Sequence, residues 1–213
     1  MKIIRLFFVI ILVSIGFSLA AQQVEIIPDL TKTSDPGLWM LHNRELDVEK
    51  EVHLNAKPGD GLLWLKAPIF SNGTIELDIR GKDEQGKSFV GVAFHGLNDT
   101  TYDVIYFRPF NFKNPERNVH SVQYISHPQY TWHKLRKEHP GKYESTIFPV
   151  PEPDGWFHVT LIIQYPTVKV FVNNAEKPSL IIEQLNTRKE GWMGFWVGHY
   201  SEGDFKNLKI IPE

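Results

Sequence analysis

Residues 74–80 read Thr-Ile-Glu-Leu-Asp-Ile-Arg, a strict alternation of polar and apolar side chains. Alternation with a period of two is typical of a β-strand that buries one face and exposes the other. Similar runs recur along the chain, and turn-forming residues such as Pro58-Gly59-Asp60-Gly61 and Ser71-Asn72-Gly73 separate them. The pattern predicts many short antiparallel strands rather than strand–helix–strand units.

Ten segments of the chain carry this strand-like pattern. They are short, their spacing is typical of all-β domains, and no long helical stretch separates them. The sequence therefore predicts an all-β antiparallel sandwich or barrel. The predicted strands are residues 62–65, 74–80, 88–95, 104–108, 121–125, 157–164, 168–172, 180–182, 192–197 and 205–210.

Residues 111–155 interrupt the regular pattern and are rich in His, Pro, Tyr and Trp. Within them, residues 130–137 predict a short helix that begins after Pro128 and ends near Pro140-Gly141. Long excursions in compact β domains often carry function. The alternative is that this segment is structural and covers one end of the sandwich.

Composition excludes several classes of protein. The 213 residues include no cysteine, 42% are hydrophobic, and the formal net charge is −2. This length and apolar content fit one domain with a substantial core. Without thiols the chain forms no disulfide and no cysteine-ligated metal site. The near-neutral charge argues against nucleic acid as a partner, because such proteins carry a basic excess.

The N-terminus has the organisation of a secretory signal peptide. Two basic residues precede a largely apolar run over residues 6–17, which ends in Ser18-Leu19-Ala20-Ala21. A basic start, an apolar middle and small residues before the cleavage point are the parts of such a peptide. Cleavage after Ala20 would leave residues 21–213 as a single exported domain, periplasmic or secreted, without membrane attachment. The alternative is a membrane anchor, for which the apolar run is short.

Three parts of the chain resemble a known superfamily. They are residues 70–79, the paired segments 156–161 and 168–174, and residues 191–198 followed by 201–208. Together they are similar to strands of the concanavalin A-like lectin/glucanase superfamily, which includes laminin G-like domains. The resemblance implies a jelly-roll sandwich of two curved antiparallel sheets whose concave face commonly binds glycans. The superfamily contains lectins, glycoside hydrolases, polysaccharide lyases and protein-binding modules, so the fold alone does not choose among them.

The period of two also assigns side chains to faces. If the apolar residues of each strand point into the core, the residues between them point outward. If these strands share one sheet, its outer face mixes carboxylate, guanidinium, amide and aromatic groups, a combination that suits a sugar. We therefore predict a carbohydrate-binding concave face formed by Glu76, Asp78, Arg80, His95, Tyr106, Arg108, Gln123, Trp132, Trp196 and His199.

The same residues have a structural interpretation. The charged side chains at positions 76, 78, 80 and 108 would form cross-strand ion pairs on a solvated sheet. Trp196 would then lie beneath residues 111–155, and that surface would be a second small core. The sequence leaves both interpretations open.

Catalysis on this face would need a specific arrangement of groups. A retaining glycosidase uses two carboxylates about 5–5.5 Å apart. The family 16 glycoside hydrolases of this superfamily place them on a Glu-x-Asp-x-Glu strand, which Glu76 and Asp78 match but Arg80 does not, and this argues against that mechanism. A polysaccharide lyase needs a base and a group that neutralises a uronate carboxylate, and the predicted face offers both. The catalytic candidates are Glu76, His95, Tyr106 and Arg108.

No set of metal ligands stands out in the sequence. Four histidines lie within residues 111–155, but their spacing matches no recognised site, and no cofactor is predicted. The superfamily often holds a structural calcium, for which Asp99, Asp103 and Asp204 would supply oxygen ligands.

The sequence thus predicts an exported carbohydrate-binding jelly roll. Two alternatives stay open: a glycoside hydrolase or lyase that uses the same face, and a protein-binding module of laminin G type.

Overall fold

The computed structural model describes residues 24–213, which form two antiparallel sheets packed face to face. Fourteen strands and one α-helix are found in this part of the chain. In chain order the elements are β1 (Trp39–His42), β2 (Leu46–Val48), β3 (Val52–Leu54), β4 (Gly61–Phe70), β5 (Gly73–Arg80), β6 (Val90–Asn98), β7 (Thr101–Phe107), β8 (Val122–Ser126), α1 (Trp132–Glu138), β9 (Glu144–Ser145), β10 (Phe157–Gln164), β11 (Thr167–Val172), β12 (Leu180–Glu183), β13 (Gly191–Val197) and β14 (Gly203–Pro212).

Each sheet has seven strands. The front sheet has the order β1-β4-β13-β6-β7-β8-β9, and the back sheet has the order β12-β11-β10-β5-β14-β3-β2. Every neighbouring pair is antiparallel, and strands distant in sequence lie side by side. This is an all-β antiparallel two-sheet sandwich of the jelly-roll type that the resemblance implies.

The core lies between the two sheets and follows the alternation seen in the sequence. In β5, Ile75, Leu77 and Ile79 are fully buried while the residues between them are partly exposed. The rings of Phe195 in β13 and Phe205 in β14 stack across the sandwich with centroids 4.6 Å apart. Burying one such side chain contributes about 1.5–3 kcal/mol, so the facing apolar rows hold the sheets together.

All ten predicted strands overlap observed ones, and β10 matches its predicted bounds of 157–164. The sequence missed β1, β2, β3 and β9, which have two to four residues each. Runs this short show too few alternations to be recognised as strands.

The 111–155 segment adds β8 and β9 to one edge of the front sheet and carries α1. The helix covers residues 132–138, close to the predicted 130–137. Thr131 caps its N-terminus, because the Thr131 hydroxyl accepts a hydrogen bond from the Lys134 backbone N–H at 3.5 Å. Leu135 is buried beneath the helix and fixes its orientation.

The predicted signal peptide, residues 1–20, lies outside the described residues. Within residues 24–213, no helix is long and apolar enough to cross a membrane.

Candidate functional site

A cavity of about 640 Å³ lies on the face of the front sheet that is turned away from the back sheet. Its floor contains Tyr106 from β7, Ile125 from β8 and Trp196 from β13. These residues alternate with core residues such as Phe107 and Phe195, which point toward the back sheet. The tyrosine and tryptophan rings lie 5.2 Å apart between centroids, so the floor is largely aromatic.

The walls come from several separate parts of the chain. The 111–155 segment provides His120 and Trp132, and the exposed Trp132 ring (47% of the residue is accessible) stands at the rim. The opposite walls include Phe89, which precedes β6, and His199, which follows β13. The segment that interrupts the strand pattern therefore both extends the front sheet and encloses the cavity.

Arg108 lies in the cavity wall and is 5% exposed. Its NH1 donates to the His120 carbonyl at 2.9 Å, and its NH2 contacts the Tyr106 hydroxyl and the Gln123 side-chain oxygen. The guanidinium also lies over the Tyr106 ring, 4.7 Å from its centroid. Burial lowers the pKa of Arg108 from its ordinary value and raises the pKa of Tyr106 to about 12. Tyr106 therefore holds its proton at neutral pH, and Arg108 carries its charge because a guanidinium is not deprotonated in proteins.

A second polar cluster joins α1 to β9. The Arg136 guanidinium donates to Glu144, with NH2 2.7 Å from Oε2. The same oxygen lies 2.8 Å from Nδ1 of His120. Arg136 and His120 line the cavity, and the Glu144 side chain is buried behind them. This carboxylate therefore holds Arg136 in position and lies beside His120.

A third group of polar residues combines Tyr102 of β7 with residues from separate loops. The Tyr102 hydroxyl donates to Asp60 at 3.0 Å, and Nε2 of His127 lies 3.7 Å from the same carboxylate. Burial lowers the pKa of His127, so the imidazole is neutral at neutral pH. The Gly59 N–H donates to Nδ1 of His199 at 2.9 Å. The cavity thus offers neutral and charged hydrogen-bonding groups beside its aromatic floor.

The structure brings six of the ten predicted site residues together. Five of them line the cavity, and Gln123 lies behind the wall, where its side chain bonds the arginine and tyrosine of the lining. The six are Tyr106, Arg108, Gln123, Trp132, Trp196 and His199.

Glu76, Asp78 and Arg80 do not join this group, which corrects the expectation of a shared face. They point outward as their parity predicts, but β5 belongs to the back sheet, so they lie on the opposite side of the molecule. Glu76 pairs with Lys209 at 2.8 Å, Asp78 accepts from His158 at 2.8 Å, and Arg80 pairs with Asp204 and Glu51. Alternation fixes the face of a strand within its sheet and does not say which sheet the strand joins.

The alternation of side chains also predicted the wrong location for His95. It lies at a register shift between β6 and its neighbours and has φ of 49°, so the alternation breaks at this residue. The imidazole is fully buried, with Nε2 2.7 Å from the Ser71 carbonyl and Nδ1 3.0 Å from Gln184. It therefore belongs to the interior of the sandwich and not to the cavity.

The aspartates considered for calcium lie in three different places. Asp99 accepts from Trp64 at 2.9 Å, Asp204 accepts from Arg80 at 2.8 Å, and Asp103 is buried among amide, hydroxyl and guanidinium donors. Over residues 24–213 no three His, Asp or Glu side chains are grouped as a metal site would require.

Sequence reasoning missed several residues that line the cavity, among them Asp60, Phe89, His120, His127 and Arg136. His120 and His127 were visible as part of a histidine-rich segment. Nothing in the spacing of these residues showed that their segment would lie beside β7 and β13. The missing information was the path of the 111–155 segment.

Solved structures share this two-sheet jelly-roll fold. The chain is similar to the carbohydrate-binding module CBM66 from Bacillus subtilis (TM-score 0.57, 16% identity, 81% of this chain and 94% of that chain covered). It is also similar to a galectin-like protein of unknown function from Bacillus subtilis (0.58, 13%, 87% and 94%). A third similar structure is the VIP36 exoplasmic/lumenal domain in its Ca²⁺/Man3GlcNAc-bound form (0.58, 12%, 83% and 86%).

No protein-family model matches the sequence, and no curated protein matches it. At these identities the structural likeness establishes the fold alone, so the function must be argued from the cavity.

Proposed function

We propose that the protein binds a carbohydrate in the cavity of the front sheet, on the face that the resemblance predicts to be concave. The observation that carries the proposal is the combination of an aromatic floor, Tyr106 and Trp196, with polar groups in the surrounding walls. Sugars present C–H faces to aromatic rings and hydroxyls to hydrogen-bonding groups, so they need both kinds of surface.

The size of the cavity supports a small ligand. Its volume of about 640 Å³ falls within the range of about 300–1,000 Å³ that is usual for small-molecule sites. Similar structures include a carbohydrate-binding module and the VIP36 exoplasmic/lumenal domain in its Ca²⁺/Man3GlcNAc-bound form. In the same proposal, residues 1–20 direct export, and the carbohydrate is met outside the cytoplasm.

The two alternatives have less support. The enzyme hypothesis used Glu76, His95, Tyr106 and Arg108 together, but the first lies on the back sheet and the second is buried in the sandwich. A laminin G-type docking face would be wide, apolar and poor in carboxylates. This cavity is instead walled, and its lining includes Asp60 and several cationic side chains.

Binding to a glycan array, followed by calorimetric titration of the best glycan, tests the proposal. We expect Trp132→Ala to weaken binding by about tenfold, because the exposed ring at the rim loses its contact with the sugar. The fold should tolerate this change, since the side chain is half-exposed.

Trp156→Ala is the matched control. Its ring packs against Arg80 and Lys206 on the outer face of the back sheet, far from the proposed site in the fold. We expect this variant to bind as the unaltered protein does. Failure of every arrayed glycan to bind, or equal losses in the two tryptophan variants, would contradict the proposal.

A further inference from the structure

Arg108 is the buried cation of the cavity, and its partners carry no charge. The guanidinium contacts a backbone carbonyl of His120, the Tyr106 hydroxyl and the Gln123 amide oxygen. Within residues 24–213 no carboxylate forms an ion pair with it. A buried guanidinium usually acquires a carboxylate or phosphate partner, because desolvation of an unpaired charge is costly.

The buried carboxylate of Glu144, which acts electrostatically on Arg108, already pairs with another arginine. Glu144 bonds Arg136 and approaches His120, so it balances one of the two guanidinium groups in this part of the cavity. The guanidinium groups of Arg108 and Arg136 together carry one positive charge more than the Glu144 carboxylate neutralises. Asp60, which also lines the cavity, accepts from Tyr102 and forms no ion pair with Arg108.

Arg80 on the back sheet provides an internal comparison. It pairs with Asp204 at 2.8 Å and with Glu51 at 2.9 Å, and both carboxylates lie on the same outer face. The fold therefore supplies acidic partners to an arginine that is partly exposed. It supplies none to Arg108, which is far more buried.

The guanidinium of Arg108 is held in place by its contacts and still has N–H groups that donate to no partner. Three hydrogen bonds use three of its five N–H groups, and Nε makes none. The Tyr106 and Phe89 rings, with centroids 4.7 and 5.8 Å from the guanidinium carbon, restrict its movement. A fixed guanidinium with free N–H groups at a cavity wall is a receptor for an anionic oxygen group.

We propose that the carbohydrate bound in this cavity carries an anionic oxygen substituent, a uronate carboxylate or a sulfate ester, which pairs with Arg108. This inference rests on the proposed carbohydrate-binding function and specifies the class of sugar. The aromatic floor contacts the sugar ring, and Arg108 neutralises the substituent.

Calorimetric titration of the unaltered protein with matched glycan pairs tests the inference. The probes are hexuronate oligosaccharides of several configurations with their methyl esters, and sulfated galactan oligosaccharides with their desulfated forms. We expect at least one acidic glycan to bind about 10- to 100-fold more tightly than its neutral counterpart, as a charge-assisted pair implies. The uronate and sulfate arms distinguish the two sources of charge.

Variants then assign the preference to one residue. Arg108→Gln should reduce the affinity for the acidic glycan to that of its neutral counterpart, whereas Arg80→Gln should leave it unchanged. Equal affinity of the unaltered protein for both members of every binding pair overturns the acidic-ligand inference alone. Binding to no glycan at all overturns the proposed function with it. Since the paired comparison uses the unaltered protein, it holds even if Arg108→Gln does not fold.

Discussion

The imidazole of His95 is held neutral inside the sandwich. Nε2 donates to the Ser71 carbonyl, which leaves Nδ1 to accept from the Gln184 side-chain amide. Protonation would place a second N–H against this donor. Burial lowers the pKa of His95 below its ordinary value, and the same cause lowers the pKa of His127 in the cavity wall.

We expect the free energy of unfolding to fall as the pH is lowered through about 6.5, the ordinary pKa of histidine. Because the pKa of His95 is lowered in the folded state, the unfolded chain takes up the proton first. The contribution of the neutral ring is complete above about pH 6.5 and is lost below it, by at most about 1.4 kcal/mol per pH unit. Urea unfolding at about pH 7.5 and about pH 5.5 measures the loss.

The variant His95→Gln keeps a donor and an acceptor at this position and removes the titration. Its stability should depend less on pH over the same interval. An unchanged dependence would show that other groups account for it.

The alternation along single strands correctly predicted the face on which most of their side chains lie. It placed Tyr106, Gln123 and Trp196 on the outer face of the front sheet, where the structure has them. It failed at His95 because a register shift and a positive φ reverse the direction of one side chain. Such a local change leaves no mark on the pattern of polar and apolar residues.

Among the elements, α1 determines whether the cavity has a complete wall. Leu135 is 1% exposed where the helix packs on the front sheet near β8. The Arg136–Glu144 pair joins the same helix to β9. The Gln123 side-chain amide of β8 also donates to the Trp132 carbonyl at 3.4 Å. The helix, which carries the rim residue Trp132, is thus attached by one buried apolar side chain, one ion pair and one hydrogen bond.

We expect Leu135→Ala to loosen this wall. Truncating a buried leucine costs about 2–5 kcal/mol. A helix of seven residues is not stable in isolation, so it depends on packing of this kind to stay folded. Amide hydrogen exchange over residues 131–145 should become faster and glycan binding weaker, while exchange in β5 and β13 stays slow. Lys137→Ala, an exposed change in the same helix, is the control. Uniformly faster exchange in all strands would instead indicate that α1 opens only when the whole sandwich unfolds.

At the level of elements, the sequence predicted strands and the helix but not their neighbours. The 111–155 segment was expected either to carry function or to cover the sandwich, and its residues both extend the front sheet and line the cavity. The assignment of β5 to the back sheet depends on pairing with β10 and β14, which lie more than seventy residues further along the chain. Local alternation contains no information on such pairings.

Across the whole molecule, stability depends on contacts between the two sheets. The Phe195–Phe205 stack and the Phe107–Phe157 pair, with ring centroids 4.6 and 5.1 Å apart, each join one strand of the front sheet to one of the back sheet. The chain has no cysteine, so no disulfide supplements this packing. The resemblance predicted this architecture because the segments that carry it include β5, β10, β11, β13 and β14, which form the core.

Phe205→Ala should lower the free energy of unfolding by about 3–5 kcal/mol, since it leaves a cavity between two central strands. The midpoint of urea unfolding measures the change, with tryptophan fluorescence and circular dichroism recorded together. Ile181→Ala, a substitution of a side chain that is 55% exposed on β12, should change stability by less than about 0.5 kcal/mol. Similar losses in both variants would contradict a stability dominated by the contacts between sheets.

The lining of the cavity is gathered from positions as distant in sequence as Asp60 and His199. An unfolded chain separates these side chains, so a ligand of this site has affinity for the native state alone. By mass action, a ligand at about one hundred times its dissociation constant would add about 2.7 kcal/mol to the resistance against unfolding. This chain has no disulfide, so it would then persist longest, and resist proteolysis best, wherever the ligand of this cavity is abundant.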